Sequence, residues 1–275
     1  IKRIKIKHIE EFYNNYYIPS LSTITIVGDI SKENIISKLS FLKNWNSKNN
    51  INLTNDFEYP EDGPTQIYLI DKPGVTQSVI YMGHKSNKFD IDGDYFKSRV
   101  MNYPFGGGAS ARLFLNLRED KGYTYGVYSF FSGNKNNGSF TIFSSVKTEV
   151  TDSALVEILN EIENYVSDGI TNEELRFTKN SLLNSDALKY ESPMQKIGFL
   201  NNILKYDLDK NYITKQSNIL KSINKKEIDK VALNNIKKDN MQIVILGNSY
   251  LIKKKLENLT SKNGKRYNFK IKEIK

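Results

Sequence analysis

Cysteine is absent from this 275-residue sequence, and histidine occurs only twice, as His8 and His84. The first absence removes disulfides, thiol nucleophiles and thiolate metal sites together. The scarcity of histidine removes most of the remaining metal chemistry. His8 opens HIEEF, which lacks the second histidine that a helical zinc motif places four residues on, and His84 closes YMGHKS with no second histidine nearby. The chain is therefore expected to bind no metal cofactor by itself. A Ser-His-Asp system would draw on the same two histidines, and no G-x-S-x-G elbow precedes a serine. No apolar run approaches the roughly 20 residues of a membrane-spanning helix, so no transmembrane segment is expected. A signal peptide is also missing from the visible start: IKRIKIKHIEEF alternates basic and apolar residues, turns acidic, and does not begin with Met. The expectation is that this is not the start of the gene product, and that any targeting segment has gone with the part before it.

What is present suits one large domain or two ordinary ones, since 39% hydrophobic content is enough for a core. The net charge is +9, with lysine clustered at 225–226, 237–238 and 253–255. One reading is a nucleic-acid surface. The plainer one is a Lys-, Asn- and Ile-rich chain that solvates its helices with lysine. No recognised nucleic-acid motif accompanies the charge, and acidic residues run throughout. No specific nucleic-acid partner is expected, and non-specific binding through the basic surface stands as the alternative of a different class.

Two segments read alike. IEEFYNNYYIPSLSTITIVGD (9–29) aligns without a gap on IDKVALNNIKKDNMQIVILGN (228–248), setting Ile9 on Ile228, Ile24 on Ile243, Ile26 on Ile245 and Gly28 on Gly247. Each predicts a short helix, a turn, a buried strand ending in Gly, and another helix. Similarity at this spacing points to two copies of one domain rather than a solenoid. On that reading residues 1–50 are the C-terminal remnant of a preceding copy and 66–275 are a complete one. Residues 51–65, polar and holding Pro60, Gly63 and Pro64, are the linker.

Within the second copy, QIYLID (66–71) and SVIYMG (78–83) read as strands, and DYFKSRVMNYPF (94–105) as a helix interrupted by Pro104. SARLFLNLRED (110–120) reads as a helix capped by Ser110. GYTYGVYSFFSG (122–133) and GSFTIFSSVK (138–147) form an antiparallel pair. Ala154, Ile158 and Ile162 mark a helical stripe, and TNEE (171–174) is a capping box. Strands in a cluster followed by helices in a run predict an α+β fold, an antiparallel or mixed sheet with helices packed on one face.

Two stretches carry candidate chemistry. GGG at 106–108 before a helix is either an anion cradle or a flexible lead-in that lets helix and sheet pack closely. No Lys-Ser/Thr of a phosphate loop accompanies it. In LREDKGYTYG (117–126), Gly122 reads as the left-handed terminator of the helix, which allows Arg118 and Tyr125 to converge on one side. Period-two alternation puts Tyr123, Tyr125 and Val127 on one face of the following strand and Thr124 and Tyr128 on the other. A guanidinium fork and a phenol suit an anionic oxygen, such as that of the tetrahedral intermediate in amide hydrolysis. The competing reading is a surface ion pair of Arg118 with Glu119 or Asp120, and a tyrosine packed on the sheet.

GGGASARLFLNLREDKGYTYG resembles the second-half signature of the insulinase and pitrilysin family of zinc metallopeptidases, relatives of mitochondrial processing peptidase. FYNNYYIPSLSTITIVGD looks like the close of that family's preceding domain, and DKPGVTQSVIYMGH like the entry to the domain bearing the signature. The resemblance covers nearly the whole chain and implies tandem homologous α+β metallopeptidase-like domains, the first one truncated here. The family's H-x-x-E-H zinc motif is absent from this sequence. The resemblance thus implies the non-zinc half of a clamshell endopeptidase, active only when completed, with zinc in the missing or partner domain or subunit and unfolded peptide as substrate. It implies that Tyr125 hydrogen-bonds the scissile-carbonyl oxyanion and that Arg118 positions the peptide backbone or supports the tyrosine. Tyr123 is a further candidate substrate contact. Within the same fold, a non-catalytic structural or assembly subunit is the alternative. By family analogy alone, the compartment would be periplasm or cell envelope in a bacterium.

Overall fold

The structure, a computed structural model, describes residues 1–46, 62–188 and 190–274. Along the chain run α1 (Ile6–Tyr16), α2 (Lys32–Lys38), β1 (Gln66–Asp71), β2 (Gln77–Ser86), α3 (Asp94–Gly106), α4 (Arg112–Phe114), β3 (Thr124–Gly133) and β4 (Gly138–Lys147). They are followed by α5 (Thr151–Asp168), α6 (Asn172–Leu188), α7 (Pro193–Tyr206), α8 (Tyr212–Ser222), α9 (Lys225–Asn235), β5 (Gln242–Gly247), α10 (Ser249–Glu257) and β6 (Lys270–Ile274). The chain divides into two compact units, one made of residues 1–58 and 185–210, the other of residues 59–184 and 211–275.

The larger unit is an α+β layer. Its mixed sheet of six strands has the order β3-β4-β2-β5-β1-β6, with β1 parallel to both β5 and β6 and the other neighbours antiparallel. The alternation in β2 shows why one side is core: Ser78, Ile80, Met82 and His84 are buried, while Gln77, Val79 and Tyr81 face away. The helices pack on that buried side. Ala154, Ile158 and Ile162 of α5 are fully covered, as their spacing predicts, and so are Val100, Met101 and Phe105 of α3 and Ile252 and Leu256 of α10. Each of these side chains larger than alanine contributes roughly 1.5–3 kcal/mol by leaving water. Pro104 lies inside α3 without ending it. The capping box at the start of α6 is formed, with Glu174 N–H donating to Thr171 Oγ1 (3.1 Å) and Thr171 N–H to Glu174 Oε2 (2.7 Å). Of the linker expected over 51–65, residues 51–61 lie outside the described residues; Thr65 N–H donates to Asp239 O (2.9 Å), tying the entry of β1 to the short turn Lys238–Asn240 that precedes β5.

Within the triglycine at 106–108, Gly106 and Gly107 stand where close packing leaves no room for a Cβ, and Gly108 does not. Gly106 is buried at the end of α3, and a Cβ there would collide with the Ser129 side chain and lie 2.9 Å from Leu113 Cδ1.

The smaller unit departs from expectation. Residues 22–27, expected as a buried strand, form none, and Ile24 and Ile26 are 53% and 42% exposed. A strand exists only where a neighbour completes its ladder. Among the described residues none pairs with this segment, whereas the aligned β5 lies between β1 and β2 with Ile243 and Ile245 fully covered. In α1 no residue is buried, and its apolar Ile6, Ile9 and Phe12 are exposed.

Candidate functional site

The LREDKGYTYG stretch forms a tight reversal. Residues 112–114 make one α-helical turn, and residues 115–120 then widen into a π-turn closed by Lys121 N–H on Asn116 O (2.9 Å). Ser110 does not cap this helix: the N-cap position is Ala111, which has no side-chain acceptor to offer. Gly122 ends the helix at φ +63, the left-handed conformation its position required. The chain re-enters the sheet with Tyr123 N–H donating to Leu117 O (2.9 Å) and Lys147 N–H donating to Tyr123 O (3.2 Å).

The strand that follows does not alternate as a plain period of two predicts. Thr124 pairs with Val146 and Val127 with Ser144, so β3 carries one extra residue between them, a β-bulge. Tyr125 and Val127 consequently part company: Val127 is buried in the core, and Tyr125 is 83% exposed on the same side as Tyr128. The bulge is stitched by the buried Thr124 hydroxyl. It donates to Ser145 O (2.6 Å) and accepts from Gly126 N–H (3.0 Å) and Ser144 Oγ (3.1 Å).

Arg118, on the π-turn, and Tyr125, on the bulge, are brought together. The guanidinium carbon lies 5.6 Å from the centroid of the tyrosine ring. Both border a depression of ≈ 180 Å³ shared with Gln77, Tyr123, Ser145 and Lys147. The ion pair of the competing reading, Arg118 with Glu119 or Asp120, is not formed among the described residues. Asp120 is taken by Lys121 (2.5 Å), whose ammonium holds that carboxyl below the usual carboxylate range. The depression is thus lined by two cations and two tyrosines, without a neutralising carboxylate among its lining residues. Tyr123 reaches its rim while packing its ring against the core.

Residues that no local pattern singled out hold this corner. Arg112 donates a fork to Glu174 (Nε–Oε1 2.6 Å, Nη2–Oε2 2.7 Å), reaches Gly169 O (2.9 Å), and sits 4.8 Å from the centroid of the buried Tyr165 ring. Asn116 donates to Glu157 (3.0 Å) and Glu161 (2.8 Å), pinning the π-turn to α5.

The residues present do not suit a zinc ion. His84 has both ring nitrogens engaged: Nδ1 lies 2.8 Å from Lys85 O, and Nε2 accepts from Lys237 N–H (3.1 Å). Burial, with the nearby Lys237 charge, lowers its pKa against the weaker pull of Lys85 O and Asp62, so the ring is neutral and Nδ1 carries the proton. His8 lies on α1 and accepts from Lys5 N–H (3.3 Å). Among the described residues no three His, Cys, Asp or Glu side chains gather as a metal site, and no helix is long and apolar enough to cross a membrane.

A six-stranded mixed sheet backed by helices defines an α+β domain, in which an arginine and a tyrosine converge at a π-turn and a bulge and, among the described residues, no metal cluster is present. The family described as peptidase M16 inactive domain matches residues 3–182, and the chain belongs to that family. This is the insulinase and pitrilysin group that the GGGASARLFLNLREDKGYTYG signature resembles.

It is 28% identical over 189 residues to the Bacillus subtilis protein named "uncharacterized zinc protease YmxG", covering 69% of this chain and 45% of that one. Against the Helicobacter pylori protein named "non-peptidase homolog YmxG" the identity is 23% over 231 residues, covering 83% and 52%. The chain thus spans about half the length of these curated relatives. Among solved structures, it superposes on a peptidase M16 inactive domain from Pseudomonas fluorescens with a TM-score of 0.77 at 24% identity, covering 89% of this chain and 58% of that one. With a protease from Helicobacter pylori the TM-score is 0.80 at 18% identity, covering 90% and 59%. These two likenesses establish the fold.

Proposed function

We propose that this chain is the non-zinc half of a metalloendopeptidase whose active site is divided between domains. Tyr125 donates its phenolic proton to the scissile carbonyl oxygen as that oxygen gains negative charge, and Arg118 holds the peptide backbone or the tyrosine. The observation that carries this reading is the meeting of the two groups over one open depression. A donor for a transiently charged oxygen must be aimed and otherwise unoccupied. Among the described residues the Tyr125 hydroxyl takes no hydrogen bond and Arg118 no ion pair. Lys147 at the rim adds to the positive field there. The metal and the base that activates water belong, on this reading, to another domain or subunit, and the peptide enters unfolded.

The same reading takes residues 1–50 as the close of a preceding homologous domain and 66–275 as the domain that bears the pair. It is supported by the gapless alignment of 9–29 on 228–248 and by the uncovered apolar side chains of α1. A second reading, a structural subunit of the same fold without turnover, is favoured by the name "non-peptidase homolog" given to the Helicobacter relative.

Steady-state kinetics of the assembled enzyme separates the two. Removing one oxyanion donor typically costs about 2.7–4 kcal/mol, roughly 10²–10³ in rate, so Tyr125→Phe lowers kcat by that order with zinc content unchanged. Unaltered turnover in Tyr125→Phe removes the tyrosine from the chemistry.

A further inference from the structure

Asn116 and Arg118 stand about half a turn apart on the π-turn 115–120, so the first meets α5 while the second borders the depression. Single π-turns are rare and recur at functional sites. Asn116 anchors this one twice. Its carbonyl accepts from Lys121 N–H and closes the turn. Its side-chain nitrogen donates one hydrogen to Glu157 Oε2 (3.0 Å) and the other to Glu161 Oε1 (2.8 Å). The amide has one workable orientation: Oδ1 is buried without a partner, and a flip would press that oxygen against two carboxylates.

Glu157 and Glu161 lie four residues apart on α5, a spacing at which like charges repel. The charge that offsets Glu157 comes from far along the chain. Lys262 Nζ lies 2.7 Å from Glu157 Oε2, the lysine side chain 54% exposed and the glutamate's only 10%. A tight reversal after α10 delivers that ammonium. Gly264, at φ +79, donates its N–H to Ser261 O (3.0 Å), and Ser261 N–H donates to Lys265 O (2.8 Å). Arg266 ties the base of the reversal to Glu257 O and Asn258 Oδ1 (3.0 Å each). Two other cations face the glutamates, Lys121 toward Glu157 and Arg112 toward Glu161. Both are already engaged, Lys121 with Asp120 and Arg112 with Glu174.

We propose that Lys262 is a positioning residue for the Arg118–Tyr125 pair: its ammonium offsets the Glu157 charge, Glu157 holds Asn116, and Asn116 fixes the π-turn that carries Arg118. The proposal rests on the reading of Arg118 and Tyr125 as the substrate-facing pair. Without the ammonium a covered carboxylate is left uncompensated beside a second one, and their repulsion acts on the two bonds that pin Asn116. The turn shifts, and Arg118 with it. A misplacement of about 1 Å in a substrate-holding group can cost up to about 10²-fold in rate.

Two readouts on the assembled enzyme separate positioning from stability. The first needs no turnover: a ring-fluorinated tyrosine at position 125 reports by fluorine NMR on the guanidinium 5.6 Å from that ring. Arg118→Ala displaces the resonance. Lys262→Met displaces it in the same direction, and Lys262→Arg, which keeps the charge, leaves it at the native position. The second readout is a double-mutant cycle on kcat. Lys262→Met slows the native enzyme about tenfold but the Arg118→Ala enzyme less than about twofold, because a residue acting through Arg118 then has nothing to act on. Should Lys262→Met lose its circular dichroism, Lys262→Gln, which keeps a donor for Glu157, is read in its place with the same signs. An unmoved resonance, or equal losses in the two backgrounds, overturns the proposal and leaves Lys262 a stability residue. Native turnover in Arg118→Ala defeats the reading of the pair and leaves the resonance to decide the placement. A slow Arg118→Ala beside a native-rate Lys262→Met defeats the role of Lys262 alone.

Discussion

Arg112 bears no charge to the depression, yet the corner that carries Arg118 hangs on it. Replacing Arg112 by Met keeps most of the stem over the Tyr165 ring and removes the fork to Glu174 together with the bond to Gly169 O. The two side chains are only 20% and 24% exposed, so the pair is far from the surface case of less than about 1 kcal/mol. Removing one partner of a well-covered pair costs about 3–5 kcal/mol. The lower end applies, because Glu174 keeps the N–H of Thr171 as a donor. About 3 kcal/mol lowers the melting temperature of a unit this size by roughly 6–12 °C.

The pH dependence carries a sign. Burial raises the Glu174 pKa, but the Arg112 fork and the Thr171 N–H outweigh it, and the carboxyl titrates below its ordinary value of 4.5. A depressed carboxyl stabilises the fold fully above that value and loses its contribution as the pH falls through the folded pKa. Thermal melts followed by circular dichroism therefore show a gap between native and Arg112→Met protein that is widest at neutral pH and narrows in acid. Melting within about 1 °C of native at neutral pH, or a gap that does not narrow, refutes the reasoning.

Two further outcomes follow from the described geometry. His84 is held neutral by burial, so the unfolded chain takes up its proton first as the pH falls below 6.5. The native protein loses melting temperature between about pH 7.5 and 5.5, and His84→Gln flattens that slope. Thr124→Val leaves the Gly126 N–H at the bulge without its acceptor and costs about 1–3 kcal/mol in urea titrations, with the amide resonances of Tyr125 and Gly126 displaced.

Much of this architecture is written in local pattern. The strands at 66–71 and 78–83, the 122–133 and 138–147 hairpin, the Thr171–Glu174 box and the Gly122 terminator all rest on spacing or on a single residue's conformational preference, and each is formed. The bulge was not legible, because a period of two carries no mark for an inserted residue and the Thr124 hydroxyl that fixes it acts across the ladder. Nor was the π-turn, since the apolar spacing of Leu113 and Leu117 is the same for an ordinary helical turn. The Arg112–Glu174 fork joins residues far apart in sequence, for which no local signal exists. Ile24 and Ile26 read as a strand because composition records what a segment prefers, not whether a partner stands beside it.

Single-turnover cleavage of a quenched peptide by the assembled enzyme, with Tyr125→Phe set against Tyr128→Phe, bears most directly on the role assigned to the exposed phenol. The prediction is a slowing by roughly 10²–10³ for Tyr125→Phe and an unchanged chemical step for Tyr128→Phe. Equal rates for the two variants would contradict it.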